Sequence, residues 1–139
     1  MVAHAFMRTG IVTVSPSLSL SDLEQLLTGE EISGAPVTDD EGRLVGIVSK
    51  TDIVRHYSQV CRIDSTLSEI GEAASVEEIM TRDVVEVARN AAWSDVARVM
   101  VDGGVHRVVV VDGGKLEGVI TSLDLLRAAV DAGSVPATR

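Results

Sequence analysis

The feature that most constrains this chain is an internal duplication. Gly46-Ile-Val-Ser-Lys-Thr-Asp52 recurs as Gly118-Val-Ile-Thr-Ser-Leu-Asp124. Each copy is a strand-sized apolar run that meets a helix signal at a hydroxyl residue, with an Asp three positions later. The surroundings repeat as well. Met7 to Val14 matches Met80 to Val87, and Leu20, Leu23 and Leu27 fall at helical spacing where the second copy has Trp93, Val96 and Met100. Ser33 to Val37 matches the strand within Val105 to Val111, the turn at Asp39 to Gly42 matches Asp112 to Lys115, and Leu44 to Val48 matches Leu116 to Ile120. The offset is 73 residues through the first helix and 72 from the strand onward, which places a one-residue deletion in the helix-to-strand loop of the second copy.

A chain repeated in this way is expected to form two tandem β-α-β-β-α repeats of the α/β class. One repeat alone buries too little apolar surface, so the two are expected to pack about a pseudo-twofold axis. The expected boundaries are a loose N-terminal arm over residues 1–6, a first repeat over 7–57, a linker with a short helix over 58–79, a second repeat over 80–130 and a frayed tail over 131–139. Ser19 is expected to cap the first helix with Asp22 facing its dipole. Ser75-Val-Glu-Glu78 reads as a capping box, and Pro36 marks a strand start or a sheet edge.

Composition narrows the function. The 12 basic residues against 21 acidic ones leave a net charge of −9, which argues against nucleic acid and against anionic lipid as partners. The longest apolar run, Val108 to Val111, is far too short to span a bilayer, and no signal pattern opens the chain. Cys61 is the single cysteine, so an intrachain disulfide is impossible. A soluble cytoplasmic protein is expected. No residue set has zinc-ligand spacing, Cys61 and His56 lack a third orienting group, and the glycines match neither a Rossmann nor a P-loop pattern, so catalysis is not expected. His4 reads as an ordinary surface residue, and Trp93 as core or dimer contact.

Two readings of the duplicated junction stay open at the level of residues alone. In one, Ser49 and Thr121 cap helices and Asp52 and Asp124 sit in the first helical turn. In the other, the carboxylate accepts hydrogen bonds from a ligand's hydroxyls, each worth about 1.5–3 kcal/mol, while free N–H groups at the helix start receive phosphate.

These residues in this order resemble a tandem pair of CBS (cystathionine β-synthase) domains, over nearly the whole of Met7 to Val130. The resemblance implies a regulatory sensor without catalysis that binds an adenosine-containing ligand in clefts between the repeats. The implied ligands are AMP, ADP or ATP, and sometimes S-adenosylmethionine or a dinucleotide; the net acidity of the chain disfavours a triphosphate unless Mg²⁺ accompanies it. The resemblance implies a ribose role for Asp52 and Asp124, hydroxyl contacts from Ser49, Thr51, Thr121 and Ser122, and phosphate contacts from His106 and Arg107. In the repeat register Gly34-Ala35 stands opposite that basic pair, so the phosphate-binding charge is expected on one side only. Adenine would meet backbone and aliphatic surface near Val12, Val85, Ala35 and Arg107. The family also implies a disc-like homodimer read by an effector protein. A dimerisation module that binds no ligand is the alternative.

Overall fold

The computed structural model describes residues 1–60 and 66–133. The expectations for Cys61 and for the tail beyond residue 133 lie outside the described residues. The described residues divide into two compact units, and these interleave along the chain. One, the Asp52 unit, comprises the described residues of Val12–Asp83; the other, the Asp124 unit, joins Met1–Ile11 to the described residues from Val84 on.

The Asp52 unit contains α1 (Leu20–Gly29), β1 (Gly34–Thr38), β2 (Leu44–Ser49), α2 (Lys50–Val60), α3 (Leu67–Ala73) and α4 (Val76–Ile79). β1 and β2 form an antiparallel hairpin. Leu20, Leu23, Leu27, Ala35, Val37, Val48 and Ile53 make its core. The expected Ser19 cap is present, its hydroxyl accepting from the Asp22 N–H at 3.1 Å. The Glu78 carboxylate accepts from the Ser75 N–H at 2.6 Å, as the capping box requires. Gly71 lets α3 close against its neighbours: a Cβ there would meet Ser21 Oγ and the Tyr57 hydroxyl. That hydroxyl donates to Glu24. Burial, then the bond to Glu24 and its charge, push the tyrosine pKa up to about 12.

The Asp124 unit contains β3 (Glu86–Ala88), α5 (Trp93–Gly103), β4 (Arg107–Asp112), β5 (Lys115–Thr121) and α6 (Ser122–Asp131). β3 lies parallel to β4, and β4 antiparallel to β5. Val87, Val96, Met100, Val108, Val110, Ile120 and Leu125 fill its core. Trp93 packs against this core and donates its indole N–H to the Leu125 carbonyl at 3.0 Å.

The N-terminal arm is not loose. Ala3 is fully buried at the start of a 3₁₀ turn, Ala3–Ala5. Its N–H donates to Ala91 O at 2.8 Å, and Met1 O accepts from the Trp93 N–H at 3.0 Å. The same two bonds occur in the other unit as Val76 N–H to Leu18 O at 2.8 Å and Leu20 N–H to Ala74 O at 3.1 Å. Met1 to Ala5 is therefore the first copy of the α4 segment. Hydropathy alone could not show this, because the arm is too short for periodicity to register.

The single-residue deletion lies in a different loop from the one expected. Gly34 pairs with Ser49 while Arg107 pairs with Thr121, and Val37 pairs with Gly46 while Val110 pairs with Gly118. The offset of 73 thus persists through β1 and β4. It becomes 72 in the hairpin turn, where three residues separate Asp39 from Arg43 but only Gly113 and Gly114 separate Asp112 from Lys115. Both of those glycines have positive φ, 59° and 82°, the geometry of a two-residue hairpin turn. No residue is lost between helix and strand: Glu31 (φ 56°) adopts the left-handed conformation that Gly104 (φ 62°), 73 residues on, adopts in the other unit. The counterparts of His106 and Arg107 are therefore Ser33 and Gly34, and Ala35 corresponds to the core residue Val108.

The short opening strand of the β-α-β-β-α plan, at Met7 to Val14, is reduced to bridges at Arg8 and Val14. In the Asp124 unit, the Val109 N–H donates to Val85 O at 3.2 Å and helps β3 form. Pro36 holds the place of Val109 and has no N–H to give Val12, so only the Val14–Val37 bridge remains.

Each unit also takes in a segment that precedes the other repeat. Arg8 exchanges two backbone bonds with Val119, and Thr81 does the same with Ile47. The adjacent residues of those strands, Gly118 and Gly46, admit this approach because a Cβ would lie 2.6 Å from Arg8 O or 2.9 Å from Thr81 O. Gly118→Ala is expected to cost about 1–3 kcal/mol by overpacking against backbone, measured by urea unfolding. Gly29→Ala, which meets nothing within 4 Å, serves as the neutral comparison; equal effects would refute the close-approach account.

Candidate functional site

Each return strand runs directly into a helix, and the turn between them carries a buried carboxylate. Asp52 and Asp124 are the two buried charged residues among the described ones, each 7% exposed. An apolar strand ending at a hydroxyl residue, followed by helix-forming residues, folds this way because the hydroxyl can cap the first free N–H groups.

At the second junction, Thr121 Oγ1 accepts from the Asp124 N–H at 3.2 Å, and Asp124 Oδ2 accepts from the Thr121 N–H at 2.9 Å. Asp124 Oδ1 accepts from Arg8 Nε at 3.0 Å. Burial by itself would raise the Asp124 pKa. The Thr121 N–H, the Arg8 hydrogen bond, the Thr121 hydroxyl and the Arg8 charge outweigh it and hold the carboxyl below its ordinary value. Arg107 is exposed and stands opposite Thr121 on the neighbouring strand. The His106 carbonyl accepts from the Ser122 N–H at 2.8 Å, leaving its exposed side chain outside that bond. Val85 borders the same end of the sheet through its bond from Val109. The fold therefore brings Val85, His106, Arg107, Thr121, Ser122 and Asp124 to one edge. Among the described residues Arg107 forms no ion pair, so its guanidinium is not committed to an internal carboxylate. An open hollow of about 450 Å³ lies beside Asp124, walled by Phe6, Arg127 and Ala128.

At the first junction, Ser49 Oγ accepts from the Asp52 N–H at 3.3 Å, and Asp52 Oδ2 accepts from the Ser49 N–H at 2.9 Å and from its hydroxyl at 3.1 Å. Asp52 Oδ1 accepts from Arg55 at 3.0 Å. Thr51 is exposed on the first turn of α2. The Lys50 N–H donates to Ser33 O at 2.9 Å, matching the bond between Ser122 and His106. Val12 is half-buried. Ala35 sits in the core opposite Val48, so only its backbone is available to a ligand. The basic pair has no charged counterpart here, as expected, although its structural equivalent is Ser33-Gly34.

Both junctions are thus helix caps with carboxylates that retain further lone pairs. Two residues escaped the reading of the sequence. Arg55 was visible in principle as a cation three positions after Asp52 on one helix face. Arg8 carried no such signal, being 116 residues from its partner.

A family model described as CBS domain matches residues 2–59 and again 76–131. The Methanocaldococcus jannaschii protein MJ1225 is 28% identical over 121 residues, which are 87% of this chain and 40% of that one. Thus the chain spans less than half the length of that relative. Among solved structures, CBSX2 of Arabidopsis thaliana in complex with AMP superposes with a TM-score of 0.78 and 30% identity, over 95% of this chain and 98% of the other. The CBS domain pair of protein MJ0100 in complex with 5′-methylthioadenosine and S-adenosyl-L-methionine gives 0.74 and 25%, over 97% and 98%.

The depressed Asp124 pKa has a consequence for stability. The charged form is favoured by folding, so its contribution is full above the unfolded value of about 3.9 and is lost as pH falls through the folded value. Asp124→Asn is expected to lose about 1–2 kcal/mol at pH 7. In paired urea titrations the difference from wild type should narrow below about pH 4; a gap independent of pH would contradict this origin.

Proposed function

The chain belongs to the CBS domain family, and from that premise we propose that it is a regulatory module that binds an adenine nucleotide at its two strand-to-helix junctions. The observation that carries the proposal is the duplicated buried carboxylate, oriented by its own cap and retaining acceptor capacity for a ribose diol. AMP bound by CBSX2, similar to this chain over almost its full length, supports the ligand class. Asp52 and Asp124 take the ribose hydroxyls. Ser49, Thr51, Thr121 and Ser122 supply hydroxyls beside them. Arg107, exposed and uncommitted, takes phosphate with His106. Val12 and Val85 offer backbone and aliphatic surface to adenine, and Ala35 offers its backbone. The net charge of −9 disfavours a triphosphate unless Mg²⁺ accompanies it.

The module is proposed to be non-catalytic. Among the described residues, no group of three or more His, Cys, Asp or Glu side chains is placed to hold a metal ion. Signalling would follow from population shift, with the bound state read by an effector protein. A cytoplasmic location is part of the proposal; among the described residues, no helix is long and apolar enough to cross a membrane. S-adenosylmethionine is the second ligand to consider, because the CBS pair of MJ0100 holds it.

Calorimetric titration with AMP, ADP, ATP and S-adenosylmethionine tests the reading. Asp52→Ala and Asp124→Ala should each remove one binding event. If no ligand binds at millimolar concentration, the chain is a dimerisation module instead; if both variants bind as wild type does, the carboxylates are not the ribose site.

The homodimer is proposed on an exposed apolar stripe. Leu123, Leu126 and Val130 share one side of α6 and face solvent. Leu126→Glu should convert a dimer to a monomer in sedimentation velocity, with unchanged circular dichroism; a wild-type protein that is already monomeric would rule the dimer out.

A further inference from the structure

The two carboxylates differ in where their guanidinium partners come from. Arg55 reaches Asp52 from the same helix, three residues on. Arg127 holds the equivalent position on α6, yet Asp124 is taken instead by Arg8, from 116 residues away. The counterpart of Arg8 is Thr81, since both make the same pair of backbone bonds to their return strands. Those bonds fix the Arg8 backbone: its N–H donates to Val119 O at 2.8 Å and its carbonyl accepts from the Val119 N–H at 3.0 Å. The side chain itself is 54% exposed, whereas that of Asp124 is 8% exposed. The guanidinium therefore sits on the solvent side of a carboxylate whose other oxygen is already bound to the Thr121 N–H at 2.9 Å.

We propose that Arg8 is a built-in competitor at the second junction: it occupies the Asp124 oxygen that a ribose diol needs, and it sets the affinity of that junction independently of the first. This rests on the ribose role of Asp124 proposed above. A diol that binds both carboxylate oxygens competes with the guanidinium for Oδ1. A ligand carrying phosphate offers the released cation a new anion, and a bare nucleoside does not. The second junction should therefore discriminate against unphosphorylated nucleosides, and should lose that discrimination when Arg8 is replaced. Among the described residues the guanidinium on Asp52 is that of Arg55, at 3.0 Å from the same helix, and Thr81 stands in the place of Arg8.

Adenosine and AMP are the probes, titrated into the full chain and into Arg8→Thr, which copies the Asp52 unit, where Thr81 holds this place. An ion pair with one exposed partner contributes modestly, so adenosine should bind Arg8→Thr roughly two- to fivefold more tightly at the Asp124 event, with the Asp52 event unchanged. AMP should gain less. In wild type, saturation with adenosine should move the Arg8 Nε–H resonance in ¹⁵N spectra away from its carboxylate-bonded position. Adenosine affinity that is unchanged or weaker in Arg8→Thr, or an Arg8 resonance that does not move on saturation, overturns the proposal. Failure of the underlying ribose reading looks different: Asp124→Ala then keeps both binding events whatever Arg8 does.

Discussion

The structure depends on a close backbone approach at two glycines. Gly46 and Gly118 leave no room for a Cβ, and into that space each unit accepts the segment that precedes the other repeat. Two backbone hydrogen bonds hold each segment there, Thr81 to Ile47 and Arg8 to Val119. The interleaving of the chain follows from this contact. Met1–Ile11 belongs with the described residues from Val84 on, although in sequence it adjoins the Asp52 unit. A unit assembled from two distant pieces of chain satisfies backbone groups that neither piece could satisfy alone.

The same contact shapes the site. Bringing Arg8 to β5 places a guanidinium 3.0 Å from Asp124, while the matching contact brings only Thr81 to β2. The duplicated junctions therefore share their caps but differ in electrostatics. At Asp124 the tertiary ion pair joins the Thr121 hydrogen bonds in holding the pKa down against burial. At Asp52 the partner is local, and the nearby strand start carries Ser33-Gly34 in place of His106-Arg107. A duplicated fold thus holds two junctions of unequal charge.

Much of this was legible in the residues. The helical spacing of Leu20, Leu23 and Leu27, the caps at Ser19 and Ser75, and the turns at Asp39 and Asp112 all reflect local chemistry, and each marks a real element. The loop that carries the deletion is not legible from the residues alone, because valines and small residues align equally well one position apart. Strand pairing removes that ambiguity, since a one-residue slip would send Ala35 and Val37 out of the core. Six residues carry no periodic signal, so the arm reads as loose; its burial arises from tertiary contacts with Arg89, Ala91, Ala92 and Trp93.

The sequence by itself determined the repeat, the α/β class and the placement of Ser49, Asp52, Thr121 and Asp124 at helix starts, because capping and hydrophobic periodicity act over a few residues. Tertiary structure alone decided which segment completes which unit, that Arg107 corresponds to Gly34, and that Arg8 holds Asp124. Those outcomes depend on strand register and on contacts between residues as many as 116 positions apart, which local patterns do not encode.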